Sequence, residues 1–150
     1  MSSSLSEKKK FLEEQLSQAR KAAAALEYSR AKILPEKIGG DDPDVLEILE
    51  AMTARFARLE DIIIKKVFRA VVAYELGDSD RLIDILNLME KLELISSTEQ
   101  WIELKDLRNI IVHEYELEDL PAIHHRVYRA TPLLFDTLER ITTYLLKSQH

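Results

Sequence analysis

The sequence contains no cysteine, only three glycines and only four prolines among its 150 residues. Without cysteine there can be no disulfide framework, no thiolate zinc site and no cysteine nucleophile. No apolar run approaches the roughly 20 residues that span a bilayer, and no hydrophobic block follows the lysines of residues 1–10, so we expect neither a membrane protein nor a signal peptide. No glycine-rich phosphate loop is present, so we expect no nucleotide cofactor. These absences together predict a cytoplasmic protein.

Acidic residues outnumber basic ones, and the formal net charge is -6. A protein that coats a nucleic-acid duplex is usually basic, because its affinity comes from neutralising phosphates. The charge therefore argues against bulk nucleic-acid binding, but it does not exclude an enzyme that contacts RNA at one small site. The length suits one domain, residues 1–150, with its own hydrophobic core.

The few glycines and prolines separate five segments in which apolar residues recur every three or four positions, as on one face of a helix. We predict helices over about residues 6–32, 43–76, 78–94, 97–114 and 119–145. No strand with sustained alternation of apolar and polar residues is seen. The sequence thus predicts an all-α protein, an antiparallel up-and-down bundle of about five helices.

The expected helix ends coincide with residues that cap helices. The candidates are Ser4 with Glu7, Asp42 before Pro43, Asp78 or Ser79, Ser97 with Gln100, and Asp119 at the N-termini, and Gly77 at the C-terminus of the second helix. Pro132 lies inside the fifth helix and predicts a kink there, because proline removes one backbone hydrogen bond.

Residues able to do chemistry concentrate near the predicted end of the fourth helix. Arg108 could clamp a phosphate with two hydrogen bonds, and His113 could exchange protons near neutral pH. Asn109 is four residues before His113, on the same helix face, where its amide could orient the imidazole. Arg108 and His113 lie about 140° apart on an ideal helix. They converge only if the helix loosens near His113, or if two copies place their motifs side by side on a two-fold axis.

Arg108, Asn109, His113 and Tyr115 form the pattern Arg-Asn-x-x-x-His-x-Tyr. This pattern resembles the signature of HEPN-domain proteins, and especially of HepT-like toxins and the substrate-binding subunits of small nucleotidyltransferases. The resemblance implies a HEPN-like fold over nearly the whole chain and a homodimer whose two motifs face each other.

In activity, the resemblance implies a metal-independent endoribonuclease, the toxin of an MNT–HEPN toxin–antitoxin pair, with Arg108, Asn109 and His113 as catalytic residues. The implied substrate is RNA, with tRNA one candidate; DNA lacks the 2′-hydroxyl nucleophile and should not be cut. The resemblance also implies a cognate MNT-type nucleotidyltransferase partner that attaches AMP to Tyr115.

Two further groups of residues invite a functional interpretation. Local positive charge on the second helix makes its cations candidate RNA contacts, although Glu60 and Asp61 dilute that charge and a solvated face is the alternative. These cations are Arg55, Arg58, Lys65, Lys66 and Arg69. His124 and His125 would point about 100° apart on a helix and make a poor chelate, so we predict no metal site.

Three interpretations remain open. The chain is a HepT-like endoribonuclease, or a non-catalytic substrate-binding partner subunit of a small nucleotidyltransferase in which the same residues hold RNA or a partner. In the third, it is a helical bundle whose motif only fixes the end of its helix.

Overall fold

The computed structural model of the protein describes residues 2–113, 115 and 119–147, and within these ranges the regular structure is entirely helical. A π-helical turn, Ile63–Val67, joins the second α-helix to the third without a break, so the chain forms five helical rods. The α-helices are α1 (Ser2–Arg30), α2 (Pro43–Ile62), α3 (Phe68–Tyr74), α4 (Leu82–Lys91), α5 (Thr98–His113) and α6 (Leu120–Lys147), with a short 3₁₀ turn, Pro35–Lys37, after α1. The prediction of an all-α bundle of about five helices is confirmed.

One hydrophobic core joins all the helices. Each rod contributes buried apolar side chains to it, largely those of the stripes seen in the sequence. Trp101 of α5 is buried in this core, with its ring centroid 5.0 Å from that of Phe68. Helix α2 is central, because it packs against α1 on one side and against α5 and α6 on others. The residues of α2 that face α5 therefore meet the motif predicted to carry the chemistry.

The π turn corrects the prediction of one uninterrupted α-helix over residues 43–76. Buried side chains here come in pairs that recur every four residues, at positions 59/60, 63/64, 67/68 and 71/72. A period of four overruns the 3.6-residue turn by about 40° each time, so an unbroken α-helix would carry the later pairs away from the core. In the π turn the N–H of Phe68 donates to the carbonyl of Ile63, five residues back. This wider turn absorbs the mismatch and keeps the later pairs buried.

Three of the expected N-terminal caps are confirmed, each by a side-chain oxygen that accepts a backbone N–H bond. Asp44 N–H donates to Asp42 Oδ1 at 2.9 Å, Gln100 N–H to Ser97 Oγ at 3.2 Å, and Ala122 N–H to Asp119 Oδ1 at 3.3 Å. These caps begin α2, α5 and α6.

Two other expected caps are wrong. Helix α1 already begins at Ser2, which places Ser4 and Glu7 inside it. Helix α4 begins after Arg81, without a side-chain cap, and not after Asp78 or Ser79. The segment before α4 is held to α3 instead, because Arg69 lies 3.7 Å from the Asp80 carboxylate and donates to its carbonyl at 3.4 Å.

At the C-terminus of α3, Gly77 takes part in the cap that the sequence predicts, but it is not the left-handed residue. The left-handed residue is Leu76, with φ 62°, and the N–H of Gly77 donates to the carbonyl of Val72 at 2.8 Å. The absence of a side chain at Gly77 allows a close approach here, since a Cβ would lie 3.1 Å from Val72 Cγ1. Helix α4 ends in the same way, with Glu93 at φ 62°. Both ends have the hydrogen bonds of a Schellman motif.

Helix α6 continues through Pro132. Proline has no N–H, so the carbonyl of Tyr128, four residues earlier, loses its helical partner. Arg30 at the end of α1 replaces that partner, because its Nε donates to Tyr128 O at 3.0 Å and its guanidinium lies 4.0 Å above the Tyr128 ring. The proline thus creates an attachment point between α1 and α6.

Candidate functional site

Arg108 is held by an acid on the neighbouring helix. Its Nη2 donates to Asp61 Oδ2 at 2.8 Å, and its Nε lies 2.8 Å from Asp61 Oδ1. The side chains are 14% and 28% exposed respectively, so water screens this pair less than a surface pair. The structure therefore fixes the guanidinium that the sequence predicted as a phosphate clamp, and it does so from α2.

Asn109 contacts Arg108 rather than His113. Its Oδ1 accepts a bond from Arg108 Nη1 at 3.2 Å. Within the described residues, no hydrogen bond joins Asn109 to His113. The predicted contact by which this amide would orient the imidazole is therefore not formed within one chain.

His113 is the last residue of α5, and it is exposed. The helix stays regular up to it, so the two side chains remain on different faces of α5. Among the described residues, nothing bonds to the imidazole. A single protomer therefore does not bring Arg108 and His113 to one point, and the first of the two predicted routes, a loosening of the helix before His113, is not seen.

Tyr115 lies beyond the end of α5 and turns back onto the bundle. It is half-buried, and its hydroxyl is 2.9 Å from Nε2 of His124 on α6. Burial lowers the pKa of His124, which favours the neutral ring. Burial, and next the charge of Glu50, raises the pKa of Tyr115. Hence this hydroxyl is protonated and is directed inward, toward His124.

Glu60 is fully buried beside the pair that holds Arg108. Neither carboxylate oxygen has a hydrogen-bond partner among the described residues. Burial raises the pKa of Glu60 to about 7; the charge of Asp61 adds to the rise, and those of Lys105 and Arg108 oppose it. On sequence alone, Glu60 counts among the surface charges. The available signal is the recurrence of apolar pairs at 63/64, 67/68 and 71/72, which extended back by four residues puts position 60 in the core.

The five cations proposed as RNA contacts have different surroundings. Two have acidic partners, since Lys65 lies 3.6 Å from Asp61 and Arg69 lies 3.7 Å from Asp80. Arg55 is bound to α1, where its Nη1 donates to Ala25 O at 2.9 Å and to Ser29 Oγ at 2.6 Å. Arg58 and Lys66 have no acidic partner among the described residues, and with Arg55 they line a groove between α1 and α2.

No metal-binding group emerges in the part of the chain that the structure describes, since no three His, Asp or Glu residues are placed to share an ion. His124 bonds with Tyr115 instead. Of the helices in those same residues, none combines the length and apolarity that crossing a membrane requires.

Compared with protein-family models, curated proteins and solved structures, the chain matches none. Function is therefore inferred from the residues and their geometry. The Asp61 partner of Arg108 and the His124 partner of Tyr115 are the site residues that the sequence did not indicate. The partners are 47 and 9 positions apart in the sequence and meet only through tertiary packing, so no local sequence pattern predicts either pair.

Proposed function

We propose that this chain is a HEPN-family, HepT-like metal-independent endoribonuclease that acts as a homodimer in the cytoplasm. Arg108, Asn109 and His113 of both protomers form one composite site. The observation that carries the proposal is that α5 presents an exposed His113 at its end, while Asp61 fixes Arg108 on another face of the same helix. A two-fold partner would supply the second motif that a single chain lacks.

The proposed chemistry is transesterification within the RNA. One His113 takes the proton of the ribose 2′-hydroxyl, and that oxygen attacks the adjacent phosphorus. His113 of the partner subunit gives a proton to the leaving 5′-oxygen. Arg108 stabilises the negative charge that builds on the phosphorane. The products are a 2′,3′-cyclic phosphate and a 5′-hydroxyl, and no metal enters any step.

Tyr115 is the proposed site at which a cognate MNT-type nucleotidyltransferase attaches AMP and silences the toxin. It lies two residues beyond His113, so a bulky anion on it would obstruct the cleft. The bond to His124 turns the hydroxyl inward. The modification therefore requires Tyr115 to leave His124 and swing outward before it can reach a donor nucleotide.

Cleavage in excess EDTA tests the proposal, with total tRNA as substrate and the product ends identified. Wild type should cleave and leave 2′,3′-cyclic phosphates, whereas His113→Ala should lose at least about a hundredfold in rate. His113→Ala should melt within a few degrees of wild type, because an exposed polar residue contributes little to stability. The matched control is His125→Ala, on α6 outside the motif, which should cleave as wild type does. Equal rates for wild type and His113→Ala would contradict the proposal.

One observation favours a second candidate, the non-catalytic substrate-binding subunit of a small nucleotidyltransferase. Asp61 accepts a hydrogen bond from Nη2 of Arg108 and lies against its Nε, which leaves fewer guanidinium donors for the phosphate of a reacting RNA. No cleavage by a dimeric wild type whose Tyr115 is unmodified, together with co-purification of a nucleotidyltransferase, would favour this candidate.

A further inference from the structure

A groove of about 780 Å³ runs between α1 and α2 and gathers positive charge on an acidic protein. Four cations and one carboxylate are among its lining residues. The groove is lined by Gln18, Lys21, Ala22 and Ala25 from α1 and by Arg55, Arg58, Asp61, Ile62 and Lys66 from the α2 side. The small side chains of the two alanines leave the space that makes this surface concave.

The only carboxylate in the groove lining is already neutralised. Asp61 is paired with Arg108, whose Nε lies 2.8 Å from Oδ1, and with Lys65, whose Nζ lies 3.6 Å from the same oxygen. The lining cations Lys21, Arg58 and Lys66 have no carboxylate within ion-pair distance in the described part of the chain. Like charges that converge on a concave surface repel one another and concentrate the field, which attracts an anion.

The side chain of Arg55 is preorganised for such an anion. Its Nη1 is held by Ala25 O and Ser29 Oγ, which fixes the plane of the guanidinium. A guanidinium has five N–H donors, so others stay available after these bonds. Because the side chain is already ordered, a ligand would meet a smaller entropic cost on binding it.

We propose that this groove binds the phosphodiester backbone of single-stranded RNA through Lys21, Arg55, Arg58 and Lys66. From Arg55 to Lys66 the helix extends about 16 Å, long enough to contact more than one phosphate. The groove shares Asp61 with Arg108, so a strand lying in it is led to the motif on α5. The inference rests on the proposed RNA substrate. Compared with the RNA contacts predicted from the sequence, it adds Lys21 and omits Lys65 and Arg69, which form ion pairs with Asp61 and Asp80.

Binding can be tested without cleavage by using a fluorescein-labelled 2′-O-methyl RNA of about 12 nucleotides, which has no 2′-hydroxyl nucleophile. The anisotropy of this probe is measured in EDTA over a series of salt concentrations. The groove variant carries Lys21→Gln, Arg58→Gln and Lys66→Gln. Arg55 is kept, because its bonds hold α1 to α2. The control variant carries Lys10→Gln, Lys37→Gln and Lys91→Gln, three exposed sites off the groove with the same total change of charge.

The groove variant should bind at least about tenfold more weakly at about 0.1 M salt, and its salt-dependence slope should fall by about 2. The control variant should stay within about threefold of wild type. Equal weakening of both variants would overturn the proposal, as would a wild type that does not bind the probe. Displacement of the probe by polyglutamate as readily as by RNA would assign the groove to an acidic protein instead. Cleavage of unmodified RNA is scored separately, so loss of the groove and loss of the nuclease are distinguishable.

Discussion

Glu60 and Asp61 are adjacent carboxylates on α2 that lie in opposite environments. Asp61 forms an ion pair with Arg108 and accepts a hydrogen bond from it through Oδ2, whereas neither oxygen of the buried Glu60 has a hydrogen-bond partner among the described residues. A buried carboxyl without a bonded partner favours its neutral form, and burial accordingly raises the pKa of Glu60 to about 7. Around neutral pH, the acid that lies beside the anchor of Arg108 is therefore close to its titration point.

Glu60 should make the stability of the protein depend on pH. Its pKa is about 7 in the folded state and 4.5 as the ordinary value, so between these the folded state binds more protons than the unfolded state. The free energy of unfolding therefore falls as pH rises through this window, by up to about 3 kcal/mol. Glu60→Gln mimics the neutral acid. Its free energy of unfolding should equal that of wild type at pH 5 and exceed it by about 1–3 kcal/mol at pH 8.

Urea unfolding of wild type and Glu60→Gln at four pH values from 5 to 8 measures this difference. The difference is used because His124, whose pKa burial lowers, adds stability as pH rises and partly masks the effect in wild type alone. Glu47→Gln, at an exposed position of α2, is the control. If the difference in the free energy of unfolding between wild type and Glu60→Gln does not change with pH, Glu60 is ionised throughout this range.

At the scale of elements, the spacing of apolar residues predicted the helices, and capping residues predicted the N-termini of α2, α5 and α6, because both are local properties. The π turn was not predicted. Apolar residues spaced three or four positions apart predict an ordinary α-helix, and buried pairs that recur strictly every four residues satisfy the same criterion. The left-handed residues at the C-termini of α3 and α4 were not predicted either. Glycine is the usual residue there, yet Leu76 and Glu93 occupy those positions.

Replacing these left-handed residues by glycine should therefore stabilise the protein. A side chain in the left-handed region costs about 1 kcal/mol, and glycine does not carry that cost. Leu76→Gly and Glu93→Gly should each raise the free energy of unfolding by about 0.5–1 kcal/mol. Glu103→Gly, at an exposed site inside α5, should lower it by about 1 kcal/mol.

Thermal and urea unfolding of the three variants measures the predicted stabilisation at the two helix ends and the predicted destabilisation inside α5. Destabilisation by Leu76→Gly and Glu93→Gly alike would mean that the two helix ends do not have the left-handed geometry. Leu76 is largely exposed, so the loss of its apolar contacts should not obscure the result.

For the whole molecule, the sequence located the motif but not its geometry. Position and spacing placed Arg108 and His113 near the end of one helix and showed that a straight helix holds them apart. That Arg108 is held by Asp61, and that Tyr115 bonds with His124, follows from how α2, α5 and α6 pack. Because one chain does not bring the arginine and histidine together, the proposed site needs two chains.

A subunit-mixing experiment tests that claim most directly. A fixed amount of wild type is dissociated and reassociated with an equal amount of His113→Ala, and RNA cleavage is measured in EDTA. If each site needs both histidines, mixed dimers are inactive, random pairing leaves wild-type chains half in mixed dimers, and activity should fall to about half. Undiminished activity after confirmed exchange would show that each chain cleaves alone, and would contradict the composite site.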